Sequence, residues 1–143
     1  MPKKNTANRT LSRREARDLD IEIGFLEGVV RRDPEYVDAL QVLGDNYTQR
    51  GRYHKGLDID LHLCRLRPRD ALTHYNLACS LALTGETARA IEILHRALDL
   101  GYRDFKWMRR DPDLRGIRRH PLYQSIRARV RDLERTPGKR ANS

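Results

Sequence analysis

The chain has 143 residues, a net charge of +9, 38% hydrophobic residues and 6% aromatic residues. Its length suits one domain with a modest core, and no segment has the roughly 20 consecutive apolar residues that a membrane-spanning helix needs. Residues 1–10 are basic but precede no apolar segment, so no secretory signal is predicted. We therefore expect a cytoplasmic protein with no membrane-spanning segment.

The first predicted element is a helix over residues 13–32. Ser12 followed by Glu15 forms a capping box, the sequence signature of a helix N-terminus. Apolar residues recur at helical spacing within this segment, and Pro34 ends it.

A repeat of 34 residues follows this helix. Four pairs of identical residues lie one period apart: Pro34 and Pro68, Leu43 and Leu77, Gly51 and Gly85, Leu66 and Leu100. The two copies are residues 37–70 and 71–104, and in each a helical apolar pattern runs to a glycine and then restarts. Because glycine readily adopts positive φ, each copy is predicted to be two antiparallel helices joined by a tight turn.

The pattern changes to short apolar clusters in residues 105–135. Asp111 followed by Pro112 predicts an N-cap and the first residue of a short helix, and Pro121 opens a last helix. The residues of that last helix predicted to face inward are Leu122, Ile126, Val130 and Leu133. This segment is therefore interpreted as a C-terminal cap.

Large and small residues alternate at matching positions of the two copies. In the first copy they are Leu40, Leu43-Gly44, Tyr47, Gly56 and Pro68. In the second copy they are His74, Leu77-Ala78, Leu81, Ala90, Leu94 and Ala97. This pattern resembles the tetratricopeptide-repeat (TPR) family, in its small bacterial form with a helical C-terminal cap. The chain departs from the family at Asp60, where an aromatic residue is usual, and the second copy lacks the closing proline.

The resemblance implies an all-α fold, an α-solenoid of antiparallel helix pairs. It would hold two full repeats, an N-terminal half-repeat helix and C-terminal capping helices, together forming a TPR helical domain over residues 12–135. The small, polar and basic segments 1–11 and 136–143 are predicted to be disordered tails.

The resemblance also implies a function: the family binds peptides or proteins in a concave groove lined by the first helix of each pair. The groove positions in this chain are Asp38, Gln41, Asp45, Thr48, Gln49, Leu72, Tyr75, Asn76, Cys79, Ala82 and Leu83. We expect a protein–protein interaction adaptor, or scaffold, with this groove as its binding site. The alternative is that the C-terminal helices of the chain itself fill the groove.

No pattern in the sequence points to catalysis, a cofactor or a metal site. The five histidines lack metal-binding spacing, and Cys64 and Cys79 are interpreted as small buried hydrophobic residues. Asp60 lies between apolar residues of a predicted helix and is expected to be partly buried in a structural pair. Its candidate partners are His62, Arg65, His74 and a tyrosine hydroxyl.

Two further functions remain as alternatives. Basic residues are in excess in residues 1–18 and 102–143, whereas residues 19–101 are mildly acidic. The C-terminal residues that could contact a nucleic acid are Arg109, Arg110, Arg115, Arg118, Arg119, Arg127, Arg129 and Arg131, with Trp107 and Tyr123 nearby. A solvated basic surface is the simpler interpretation. The last alternative is a component of a larger assembly whose interfaces are the ends of the stack.

Overall fold

The computed structural model describes residues 10–135, and every regular element in that range is helical. The elements are α1 (Arg13–Arg32), α2 (Val37–Gln49), α3 (Tyr53–Leu66), α4 (Ala71–Leu83), α5 (Thr87–Asp99), α6 (Phe105–Met108), the 3₁₀ turn Pro112–Leu114, α7 (Arg115–Arg118), the 3₁₀ turn Pro121–Tyr123 and α8 (Gln124–Arg135). The all-α prediction is confirmed. Of the described helices, none has the length and apolar character required to cross a membrane. The predicted disordered tails lie outside the described residues, except for Thr10 and Leu11.

The first helix begins with the predicted capping box. The Ser12 hydroxyl accepts a hydrogen bond from the Glu15 backbone N–H, and the Glu15 carboxylate accepts one from the Ser12 backbone N–H, both at 3.1 Å. These bonds satisfy two donors that the start of a helix would otherwise leave unpaired. α1 packs on α2, where Ile23 forms a small core cluster with Leu43 and Tyr47.

Two helix hairpins, α2–α3 and α4–α5, follow with the same turn. Gly51 and Gly85 both have φ of +83°, a conformation that glycine adopts without a steric penalty. The residue after each glycine donates its N–H to a carbonyl five residues back, at 2.8 Å in the first turn and 2.9 Å in the second. This is the Schellman arrangement of a helix C-terminus. The predicted turns and the 34-residue offset between the hairpins are both present.

Small residues allow the helices of each hairpin to approach closely. A Cβ atom on Gly44 would lie 3.2 Å from Ile59 Cγ2, and one on Gly56 would lie 3.2 Å from Thr48 Oγ1. Ala78 and Ala90, at the equivalent positions of the second hairpin, are fully buried. A larger side chain at these positions would push the paired helices apart.

The helices pack as a series of neighbours, α1 on α2, α2 on α3, α3 on α4 and α4 on α5. The turn Pro112–Leu114 and α7 then pack on α4, and α8 packs on α5. The main core cluster extends from α3 to α8, and it includes Leu81, Leu94, Leu114 and Ile126, all fully buried.

One prediction about the C-terminal cap is wrong. Leu122 was expected to face inward, but it is 49% exposed. The reason is that Pro121–Tyr123 is a 3₁₀ turn and α8 begins only at Gln124, so the helical spacing does not extend back to Leu122. Tyr123 is buried in its place.

Candidate functional site

The first half of the predicted groove lies on α2. We call its accessible side chains the α2 row, which consists of Asp38, Gln41, Val42, Asp45 and Gln49. Thr48 does not belong to it, because its side chain is buried and donates a hydrogen bond to the Gly44 carbonyl at 3.2 Å. The other four predicted residues reach the surface: Asp38 and Gln41 are exposed, and Asp45 and Gln49 are half-buried. Exposed Val42 lies on the same face of the helix. This half of the predicted site is polar, acidic and accessible.

The second half of the predicted groove, on α4, is largely covered. Leu72 and Asn76 are half-buried, as are Ala82 and Leu83. Tyr75 and Cys79, which were expected to line an open groove, have 0% exposure. They are covered because the turn Pro112–Leu114 and α7 pack against α4. For these two residues, the chain's own C-terminal segment occupies the surface, which was the alternative weighed from the sequence.

The covering segment is attached to α4 through Asp111, whose side chain is fully buried. Its Oδ2 accepts a hydrogen bond from the Tyr75 phenol at 2.7 Å and one from the Cys79 thiol at 3.5 Å. Its Oδ1 accepts one from the Asp113 backbone N–H at 3.0 Å, which is the predicted N-cap interaction. A buried carboxylate is costly unless it is hydrogen-bonded, and these donors offset that cost. The sequence predicted the cap but not the contact with α4.

Two stacked tyrosine rings lie beside this carboxylate. The ring centroids of Tyr75 and Tyr102 are 4.1 Å apart, and the ring planes differ by 2°. Burial raises the pKa of both phenols above their ordinary value. Tyr75 therefore stays protonated at physiological pH, and it remains a hydrogen-bond donor to Asp111.

A thiol and two carboxylates come together at this position. The ligand atoms of Cys79, Asp111 and Asp113 lie within 4.8 Å of one another, and all three residues are buried. The Asp111 carboxylate already accepts hydrogen bonds from groups of the protein on both of its oxygens. These contacts account for the group as a structural link between α4 and the C-terminal segment.

Asp60 is buried, as expected, and one of its partners, Ser80, was not among those predicted. It accepts a short hydrogen bond from the Ser80 hydroxyl, on the neighbouring helix α4. His62 instead lies 2.7 Å from the Pro34 carbonyl, and His74 lies 2.9 Å from the Asp70 carbonyl. The sequence does not identify Ser80 as a partner, because that contact depends on how α4 is rotated against α3. Asp60 thus links α3 to α4.

Several arginines of the C-terminal segment have partners within the protein. Arg109 forms an ion pair with Glu134 at 2.6 Å, and Arg129 forms one with Asp99 at 2.8 Å. Arg118 donates a hydrogen bond to a backbone carbonyl at 3.0 Å. Ion pairing with carboxylates reduces the net positive field that these side chains offer to phosphate groups.

These features define an all-helical protein of consecutive helix hairpins, with a C-terminal segment fastened to the second hairpin. No protein-family model matches the chain. A chloroplast protein from Arabidopsis thaliana is 29% identical to it over 103 residues. The matched region is 70% of this chain and 29% of that protein, so the chain spans less than a third of that relative's length. Membership of the TPR family and a cytoplasmic location stay predictions.

Proposed function

We propose that this chain is a protein-interaction adaptor of the TPR type, which binds a peptide or protein segment along the α2 row. The observation that carries the proposal is the repeated hairpin, because α2 and α4 begin 34 residues apart and both pairs close through the same glycine turn. Such a scaffold holds exposed side chains at fixed spacing on a rigid helix. The buried carboxylates have structural partners, so we propose no catalytic activity and no cofactor.

The chemistry of the α2 row indicates what it would bind. Asp38 and Gln41 are exposed one turn apart, and Val42 beside them is 43% exposed. Half-buried Asn76 on α4 does not add an accessible acceptor, because its Oδ1 atom is buried. A segment with a basic side chain next to a small apolar one would complement this surface.

A peptide-display selection on the full chain tests this proposal. We expect basic peptides to be selected, and we expect Asp38→Arg combined with Gln41→Arg to weaken their binding by about tenfold or more. The matched control is Asp58→Arg, an exposed carboxylate on α3 that lies outside the row. Isothermal calorimetry on the selected peptides would measure the affinities. Selected peptides that bind all variants equally would contradict the proposal.

The nucleic-acid alternative has less support. Nucleic-acid binding without sequence preference relies on open aromatic faces together with basic side chains. The Tyr123 side chain is buried, and the Arg127 guanidinium lies 4.9 Å from its ring centroid, so this ring offers no open face. We therefore favour a protein ligand.

A further inference from the structure

A cleft of about 440 Å³ opens among α6, α7 and α8, far from the α2 row in the order of packed helices. We call it the C-terminal cleft. Its apolar lining consists of Phe105, Met108, Tyr123, Ile126 and Val130. These side chains form the floor of the cleft, where each is 7% exposed or less, and an apolar side chain that enters from outside would pack against them.

The rim of the C-terminal cleft carries an excess of positive charge, although an ion pair with Glu134 neutralises Arg109. The charged residues that line it are Arg109, Arg118, Arg127, Arg131 and Glu134. Two of the guanidinium groups are held in place by the protein, because Arg118 donates to the Met108 carbonyl at 3.0 Å and Arg127 donates to the Arg118 carbonyl at 2.8 Å. A guanidinium has five donors, so each retains others that can bind a carboxylate.

The opposite end of the molecule carries an exposed apolar face on α1. Ile21 and Phe25, one helical turn apart, are each 67% exposed. Gly24 and Gly28 lie on the same side, and a Cβ atom on either glycine would have no neighbour within 4 Å. We call these four residues the α1 outer face. At the two glycines a partner can approach the backbone closely.

The α1 outer face lies in the acidic part of its helix. Between residues 18 and 27 the helix has four carboxylates and no basic residue. Two of the carboxylates, Asp18 and Glu22, are exposed. An apolar surface with acidic neighbours is complementary to an apolar cleft with a basic rim.

We propose that the α1 outer face of one molecule docks into the C-terminal cleft of a second copy of this chain. The two surfaces belong to the first and last helices of the packed series, since α1 packs on α2 and α8 packs on α5. Because the two surfaces lie at opposite ends of this series, contact between them requires two molecules. Phe25 and Ile21 enter the apolar cleft, while Asp18 and Glu22 contact the arginines of the rim. Because the two surfaces differ, each added molecule leaves one of each surface open, and the assembly grows head to tail.

Multi-angle light scattering over a concentration series, combined with two blocking variants, tests this proposal. Phe25→Asp places a carboxylate at the centre of the α1 outer face and so blocks it. Arg127→Glu with Arg131→Glu reverses the charge of the rim. We expect the unmodified chain to form oligomers that grow with concentration, and each variant alone to stay monomeric. An equimolar mixture of the two variants should form a dimer and stop there, because each supplies the surface that the other lacks. Sodium chloride raised from about 50 mM to about 500 mM should weaken assembly by about tenfold.

The control variant is Tyr36→Asp, which changes another exposed aromatic side chain outside both surfaces and should leave assembly unchanged. Unchanged thermal unfolding of each blocking variant would separate loss of assembly from loss of folding. Three results would overturn the proposal: a monomer at every concentration, assembly that survives Phe25→Asp, or a cleft that binds an oligonucleotide while the chain stays monomeric. Because none of these variants alters the α2 row, failure here is distinguishable from failure of peptide binding.

Discussion

The phenol of Tyr75 donates a hydrogen bond of 2.7 Å to the carboxylate of Asp111, 36 residues further along the chain. Both side chains are fully buried. This bond joins the first helix of the second hairpin to the C-terminal segment. Consequently the surface of α4 belongs largely to the core, and the surface of α2 is the part of the predicted groove that stays accessible.

Removing this hydrogen bond should destabilise the protein. Tyr75→Phe keeps the ring that stacks on Tyr102 but leaves Asp111 with one donor fewer. We expect the free energy of unfolding to fall by about 1–3 kcal/mol, measured by urea denaturation. Tyr36→Phe, at an exposed tyrosine, is the control and should change little. Equal stability of Tyr75→Phe and the unmodified chain would contradict the assigned role of Asp111.

The two turn glycines should be sensitive to substitution. Gly51 and Gly85 have φ of +83°, where alanine is strained, so we expect Gly51→Ala and Gly85→Ala each to cost about 1 kcal/mol of stability. Gly116, in α7, has no positive φ and no atom within 4 Å of an added Cβ. Gly116→Ala should therefore be neutral or slightly stabilising. Thermal unfolding of the three variants would check this, and equal effects at the three positions would contradict the turn assignment.

The two cysteines should react slowly in the folded protein. Burial, with Asp60 and Asp70 nearby, raises the pKa of the Cys64 thiol to about 12, and Cys79 is fully buried. At about pH 8 the thiolate fraction of Cys64 is then about a thousandth of that of a free cysteine, and its reaction rate should fall accordingly. A chromogenic disulfide reagent measures the rate, with the urea-unfolded chain as the control. Native thiols that react as fast as unfolded ones would refute the packing described here.

Stability should decrease in mild acid through His95. Arg129 donates to its Nδ1 at 3.2 Å, and its Nε2 lies 2.9 Å from the Ser125 hydroxyl. Burial, followed by the charge of Arg129, lowers the pKa of His95 in the folded state. The unfolded chain therefore binds the proton first, near its ordinary pKa of about 6.5, and stability falls as pH drops from there towards the folded pKa.

The size of this effect should be modest, because solvent screens a side chain that is only partly buried. We expect roughly a few tenths of a kcal/mol between about pH 7.5 and about pH 5.5, measured by urea denaturation. His95→Gln should remove this component of the pH dependence. An identical pH dependence in the variant and the unmodified chain would show that His95 is not its source.

The features that could be predicted from the sequence depend on neighbours along the chain. The Ser12–Glu15 cap and the turns at Gly51 and Gly85 each need only a few adjacent residues, and all are present as predicted. Long-range contacts were missed. The Ser80–Asp60 bond depends on how α4 is rotated against α3, which no local pattern specifies.

The residues of the candidate site divide in the same way, into those that a local pattern predicts and those whose environment depends on distant contacts. Four of the five α2 residues reach the surface as predicted, because helical periodicity determines which face of a helix is turned outward, whereas Thr48 is buried. The burial of Tyr75 depends instead on the path of a segment that begins after Gly101. An aspartate followed by proline signals a helix start, and it carries no sign that its carboxylate will meet a phenol on another helix.

The most direct test of the adaptor proposal is to map the bound peptide by nuclear magnetic resonance on an isotopically labelled chain. A basic peptide from the display selection would be titrated while the backbone amide resonances are followed. We predict shifts concentrated in α2 around Asp38 and Gln41, with little change at Tyr75 and Cys79, which lie beneath the C-terminal segment. Shifts confined to the C-terminal cleft, or absent from α2, would contradict the account.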